Sequence, residues 1–205
     1  MPTMNASRLQ LKIFAKPGSR VAPEALIPIF HDWIKHHRLP ELMIDVANYA
    51  HVPKGPGVVL IGHACDYFLD DAGGRLGLLH NRKRGGVADT ADGTQRLSDL
   101  FRRTLHAASL LEKEAALDGA LRFAPNEFQL RINDRLAAPQ GEATFQAMKP
   151  ELEAVARQLF DGPFTLTRVG DDKSLFGVTL ASAAANLELG GLLARLGGPP
   201  VADLS

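Results

Sequence analysis

Most side chains of this sequence that could do chemistry lie between residues 45 and 82. The candidates for ligand binding are Asp45, Tyr49, His51, Lys54, His63, Cys65, Tyr67, His80 and Arg82. Imidazole, thiol and phenol groups are common acids, bases, nucleophiles and metal ligands in proteins. We therefore expect a binding site within this segment, although no catalytic residue can be assigned from it.

Two predicted strands of a hairpin carry the densest group of these residues. If Asp70 pairs with Arg75, then Cys65 lies opposite His80, and His63 lies two residues before Cys65 on the same face. Cross-strand partners sit about 4.5–5.5 Å apart, so the two imidazoles and the thiol could converge on Zn or Cu. One alternative is that a histidine activates the Cys65 thiol as a nucleophile. The other is that this face packs into the core and that the cysteine is inert.

The loop from residue 48 to residue 57 is the second candidate. It contains two prolines and two glycines between predicted strands, where binding residues often lie. Lys54 and the amides near Gly55 and Gly57 could hold a phosphate or a carboxylate. We favour the alternative that these residues only shape a wide turn, because the loop does not open a helix whose dipole would help an anion.

A short basic run, Arg82-Lys83-Arg84, follows the predicted hairpin. It could grip a phosphate group, although three charges in a loop more often stay solvated. Aromatic residues are not interleaved with these charges, so stacking on single-stranded nucleic acid is not supported.

Composition excludes several classes of protein. The 205 residues include 23 basic and 23 acidic side chains and a single cysteine. A neutral chain is a poor nucleic-acid binder and has no charge repulsion against self-association, and one thiol cannot form an internal disulfide. Neither a secretory leader nor a membrane-length apolar run is seen, so a cytoplasmic location without membrane partners is expected. Nucleotide, hydrolase and zinc signature motifs are also absent, so we expect no cofactor.

The period of the apolar residues changes repeatedly between two and about 3.6, which predicts alternating strands and helices. Strands are predicted at 9–13, 42–47, 58–63, 66–69, 75–80, 128–132, 164–169 and 175–180. Helices are predicted at 24–38, 94–116 and 145–160, and the leucine-rich stretch 181–198 is at best a weak helix.

Two parts of the chain repeat this order of elements. Residues 8–88 and 120–182 each read βαββ, a ferredoxin-like order, and Leu9–Ile13 resembles Phe128–Ile132 in pattern. We predict one α+β domain over residues 1–205, built from these halves around a mostly antiparallel sheet, with helices on the outer faces. The helix at 94–116 joins the halves, and a tail follows at 183–205. Unrelated βαββ segments can also look alike, because strands and helices each have only one characteristic period of apolar residues.

The best-supported function at this level is non-catalytic. We expect a protein that binds a small ligand or a partner, forms a homo-oligomer and has a cleft between its halves, with a small anionic ligand as a second expected partner. The tail leucines, such as Leu192 and Leu193, need a surface on a partner or on the main core. The alternatives are a small enzyme with a His, Cys or Tyr site near the 48–57 loop, and a metal-binding module at His63, Cys65 and His80.

Overall fold

Strands and helices form where the apolar period predicts them. The computed structural model describes residues 8–53, 55–83, 92–171, 173–184 and 186–201. These residues form the strands β1 (Leu9–Ala15), β2 (Met43–Tyr49), β3 (Gly57–Gly62), β4 (Cys65–Asp70), β5 (Gly77–Arg82), β6 (Phe123–Ile132), β7 (Phe164–Val169) and β8 (Phe176–Ser182). The α-helices are α1 (Leu26–Lys35), α2 (Gly93–Glu112), α3 (Glu142–Leu159) and α4 (Leu189–Arg195).

All eight strands belong to one antiparallel sheet, in the order β2-β3-β4-β5-β1-β6-β8-β7. The predicted α+β class is confirmed. At the centre of the sheet β1 pairs with β6, so that Leu9 lies opposite Ile132 and Ile13 opposite Phe128. The first part of the chain supplies five strands and the second part three. The ferredoxin-like order of two related halves stays a prediction.

The helices cover one face of this sheet. Alternate strand residues, such as Leu11, Leu60 and Leu130, join one apolar core with residues from all four helices. Their neighbours point the other way, because side chains alternate along a strand. Phe14 and Leu79 on that second face are buried but lie outside the core. The predicted placement of helices on outer faces is therefore corrected to a single helical layer. None of the described helices is long and apolar enough to cross a membrane.

The hairpin β4–β5 differs from its predicted register by two residues. Asp70 lies opposite Gly77 rather than Arg75, and Cys65 lies opposite Arg82. The reason is a short 3-10 turn at the tip, where two glycines take positive φ angles and lengthen the connection. A shift of two residues keeps every side chain on its predicted face but changes its cross-strand partner.

The tail buries its leucines on its own chain. Leu189, Leu192 and Leu193 of α4 are buried in the common core, and α4 packs against α2 and α3. Arg195 holds the tail in place by donating to the Leu159 carbonyl oxygen at 2.5 Å. Of the two surfaces expected to cover these leucines, the main core is the one that does so, and the tail no longer argues for an oligomer.

The start of α2 depends on one aspartate. Asp92 precedes the helix, and its carboxylate accepts a hydrogen bond from the Gln95 amide at 2.9 Å. Because this bond satisfies an otherwise unpaired amide, Asp92→Ala should lower the free energy of unfolding by about 1 kcal/mol. Urea denaturation measures the change. Asp71→Ala is the control, since the exposed Asp71 makes no such cap, and an equal loss in both variants would contradict the prediction.

Candidate functional site

The structure does not bring together the eight predicted site residues that it describes. Cys65, Tyr67 and His80 lie beneath α2, His63 and Arg82 line a groove at one end of the sheet, and Tyr49 lines a cavity beside the 48–57 loop. Of the other three, Asp45 and His51 are exposed, and Lys54 lies outside the described residues. These three locations differ in polarity and therefore in what they could bind.

The cavity beside the 48–57 loop is mostly apolar. It has a volume of about 250 Å³. Its walls include Val21, Leu26, Tyr49, Val58, Leu69 and Leu76. Asp71 is the one charged side chain among the described residues that line it. An anion, as considered for this loop, would lie beside the Asp71 carboxylate in this cavity, and none of the described lining residues is a cation.

A network of buried polar side chains lies between the sheet and α2. The Tyr67 hydroxyl on β4 donates to Glu41 Oε1 at 2.8 Å, and Arg103 of α2 approaches the same oxygen at 3.3 Å. Arg103 also donates through Nε to Asp99 at 2.7 Å. Glu41 was not predicted, because it lies in an irregular segment before β2 where no period marks it as buried. Arg103 was not among the predicted site residues either.

His80 on β5 has a defined tautomer in this network. Its Nδ1 lies 2.9 Å from the Thr104 hydroxyl oxygen, and that hydroxyl donates its own proton to the Leu100 carbonyl at 2.7 Å. When the Thr104 hydroxyl donates to the Leu100 carbonyl, Nδ1 of the neutral ring carries the proton, donates it to Thr104 and leaves the lone pair on Nε2. The His80 ring stacks on Tyr67 with centroids 4.4 Å apart.

Burial shifts the pKa values of Glu41, Cys65, Tyr67 and His80 in the direction that favours their neutral forms. Desolvation, with the nearby cations Arg103 and Arg82, lowers the pKa of His80 to about 3, so the imidazole is neutral at physiological pH. Desolvation and the charge of Glu41 raise the pKa of the Cys65 thiol well above its usual range. Desolvation also raises the pKa of Glu41, against the opposing effect of Arg103. A thiol held neutral and buried is a poor nucleophile.

Three of these residues present metal-ligand atoms to one another. A carboxylate oxygen of Glu41, the Cys65 sulfur and a ring nitrogen of His80 all lie within 4.8 Å of each other. His63, which was predicted to complete this set, is exposed in the turn between β3 and β4. Its predicted place near the thiol required residues 63 to 65 to continue one strand, whereas β3 ends at Gly62 and β4 begins at Cys65.

The groove at the end of the sheet is basic. It forms where β5 and β6 end and β1 begins, and it has a volume of about 420 Å³. The side chains that line it are Arg8, His63, Asn81, Arg82, Lys83 and Asn133. Among these described lining residues there are three cations, one imidazole and two amides, and no carboxylate. The basic run after β5 therefore lies partly in a groove, although Arg84 is outside the described residues.

Hydrogen bonds fix the walls of this basic groove. The backbone N–H of Asn133 donates to the backbone carbonyl of Arg8 at 2.9 Å, which ties the end of β6 to the start of β1. Lys83 contacts Asp66 at 2.6 Å and donates to the Gly62 carbonyl at 3.0 Å. Arg8 and Asn133 were not predicted, since only the β1–β6 pairing brings them to the basic run. Comparisons with known proteins find no matching family model, no matching curated protein and no matching solved structure.

Proposed function

We propose that this chain is a non-catalytic binding protein for a small anion carrying a phosphate or carboxylate group. The ligand binds in the basic groove. The observation that carries the proposal is the lining of that groove, in which Arg8, Arg82 and Lys83 face one space without a carboxylate among the described lining residues. These cations, of which Lys83 is already paired with Asp66, surround one concave space and attract an anion more strongly than the same charges spread over a surface.

The groove also offers directed hydrogen bonds. A guanidinium presents a planar fork of donors that matches two oxygens of a carboxylate or phosphate, and the side-chain amide of Asn133 can add a further donor. Arg82 is only 8% exposed, so its side chain is held in place before a ligand arrives. A donor that is already ordered loses less entropy on binding, which favours affinity.

The residue types in the groove support binding rather than catalysis. None of the described lining residues is a cysteine, serine or threonine, and the Cys65 thiol is buried beneath α2 with a raised pKa. The cavity beside the 48–57 loop, where the enzyme alternative would operate, has mostly apolar walls. Formation of a homo-oligomer remains an expectation, and anion binding in the groove does not depend on it.

Isothermal titration calorimetry with pyrophosphate and citrate tests the proposal. The double variant Arg8→Gln, His63→Gln removes two exposed groups of the groove without disturbing the core. Because a hydrogen bond to a charged group contributes about 1.5–3 kcal/mol, affinity for the better anion should fall about tenfold or more. The matched control is Arg20→Gln, His31→Gln, two exposed residues that do not line the groove.

Two outcomes overturn the groove as the binding site. One is that neither anion releases or absorbs heat with the unaltered protein at low ionic strength. The other is that the control variant loses as much affinity as the groove variant, which would mean that the anions respond only to overall charge.

A further inference from the structure

The polar network beneath α2 contains one atom without a partner. Glu41 is 7% exposed, and its Oε1 accepts from Tyr67 and pairs with Arg103, whereas its Oε2 has no hydrogen-bond partner among the described residues. A buried carboxylate oxygen left unsatisfied is costly, and native structures rarely leave one. This oxygen belongs to the residue whose carboxylate lies within 4.8 Å of the Cys65 sulfur and a His80 nitrogen.

The second observation is the orientation of His80. Nδ1 lies 2.9 Å from the Thr104 hydroxyl, and when that hydroxyl donates to the Leu100 carbonyl, the neutral ring donates through Nδ1 and offers the lone pair of Nε2. Histidines that bind metals are typically oriented in this way, with one ring nitrogen donating to a fixed protein oxygen and the other facing the ion. Thr104 is itself fixed by its bond to the Leu100 carbonyl.

We propose that Glu41, Cys65 and His80 form a buried site for one Zn²⁺ ion. Carboxylate oxygen, thiolate sulfur and imidazole nitrogen are each established zinc ligands, and Zn²⁺ accepts such a mixed set in tetrahedral geometry. Three protein ligands leave a fourth position, which a water molecule fills. A modest contraction of the three ligand atoms from their present separations brings them to zinc-binding distances.

Charge balance favours a divalent ion at this position. Binding replaces the thiol proton by the metal: the Cys65 S–H bond breaks, a sulfur–zinc bond forms and one proton leaves to solvent. The thiolate and the Glu41 carboxylate then carry two negative charges against the two positive charges of Zn²⁺. Arg103 remains paired with Asp99 at 2.7 Å. Glu41, Cys65, Arg103 and Asp99 together carry one net negative charge before the ion binds, and with Zn²⁺ in place of the thiol proton they carry none.

Burial determines how the ion enters. Cys65 is 2% and His80 1% exposed, so the folded protein offers no direct path to either ligand. Zinc is therefore taken up as the chain folds, or during opening of α2 from the sheet. This makes refolding the appropriate way to load the site.

The experiment is refolding of the tag-free full-length chain from denaturant with Zn²⁺, or with Co²⁺ as a spectroscopic substitute, followed by removal of unbound metal. We expect about one equivalent of zinc by elemental analysis, and with Co²⁺ a sulfur-to-metal charge-transfer band. Cys65→Ser and His80→Gln should lower the zinc content about tenfold, and Cys65→Ser should abolish the band. His63→Gln is the matched control and should bind as much zinc as the unaltered protein.

Circular dichroism of each refolded variant separates loss of metal from loss of fold, and the cobalt band needs only the unaltered chain. A refolded, native-like protein with less than about a tenth of an equivalent of zinc and no sulfur-to-cobalt band overturns the proposal. An equal loss of zinc in the His63 and His80 variants also overturns it, because the ion would then lie elsewhere.

Discussion

Replacing Phe128 with alanine should lower the free energy of unfolding by about 3–5 kcal/mol and should do so for both parts of the chain at once. Phe128 is fully buried on the central strand β6. Its ring meets Phe101 of α2 edge-on at 5.2 Å and Phe160 at 6.4 Å. The substitution leaves a cavity at the point where β1 and β6 join the two parts of the sheet, and the surrounding helices can only partly collapse into it.

The single tryptophan makes this prediction specific. Trp33 lies on α1 in the first part of the chain, distant in sequence from Phe128. If one core unfolds cooperatively, Trp33 fluorescence and far-ultraviolet circular dichroism should shift together in guanidinium. Phe164→Ala on the edge strand β7, where the ring is only partly buried, is the control and should cost less. An unshifted fluorescence transition in the Phe128 variant would mean that the two parts fold separately.

Replacing Arg103 with methionine should lower the free energy of unfolding by about 3 kcal/mol at neutral pH. Methionine keeps much of the length of the side chain but leaves Glu41 buried without its cation. Asp99 loses one of its two partners and keeps Arg102 at 2.9 Å. The penalty therefore falls mainly on Glu41, because its carboxylate keeps the neutral Tyr67 hydroxyl as a partner whereas Asp99 keeps a cation. Urea denaturation in the presence of a chelator measures it without any contribution from bound metal.

The cost of the Arg103 variant should depend on pH in a definite direction. Burial already raises the pKa of Glu41 above its ordinary value of 4.5, and removal of Arg103 raises it further. A carboxyl group with a raised folded pKa favours folding when protonated, and that contribution is lost as pH rises through the folded value. The variant should thus be closest to the unaltered protein near pH 4.5 and furthest from it near pH 8.

The double variant Glu41→Gln, Arg103→Met is the control for this pH dependence. Removing both charges leaves no buried ion unpaired, and the stability lost in the single variant should be largely recovered at pH 8. A double variant that is as unstable as Arg103→Met alone would show that Glu41 is not the group that needs the arginine.

The sequence predicted the elements well because their apolar periods are regular. The strand predicted at 128–132 lies within β6, and the helix predicted at 145–160 overlaps α3 to within one residue at its end, although both observed elements are longer. Periodicity also placed Cys65 and His80 correctly on the core face. It could not set the hairpin register, since that depends on the backbone angles of two glycines at the tip.

The candidate sites were less accessible to sequence reasoning, because their members come from distant parts of the chain. Glu41 joins the network from an irregular segment, and Arg8 meets Lys83 only because β1 lies between β5 and β6. Single-sequence patterns report local preference and the face on which a side chain lies. They carry no information on which strand becomes the neighbour of which.

The central pairing of β1 with β6 also has a consequence for synthesis. Leu9 leaves the ribosome long before its partner Ile132, so one side of β1 has no strand beside it while the intervening chain is made. Such an interval leaves an unpaired row of amides and carbonyls next to apolar side chains, a surface on which nascent chains stick to one another or recruit chaperones. Completion of the sheet from strands so far apart in sequence is also expected to be slow compared with helical proteins of this size.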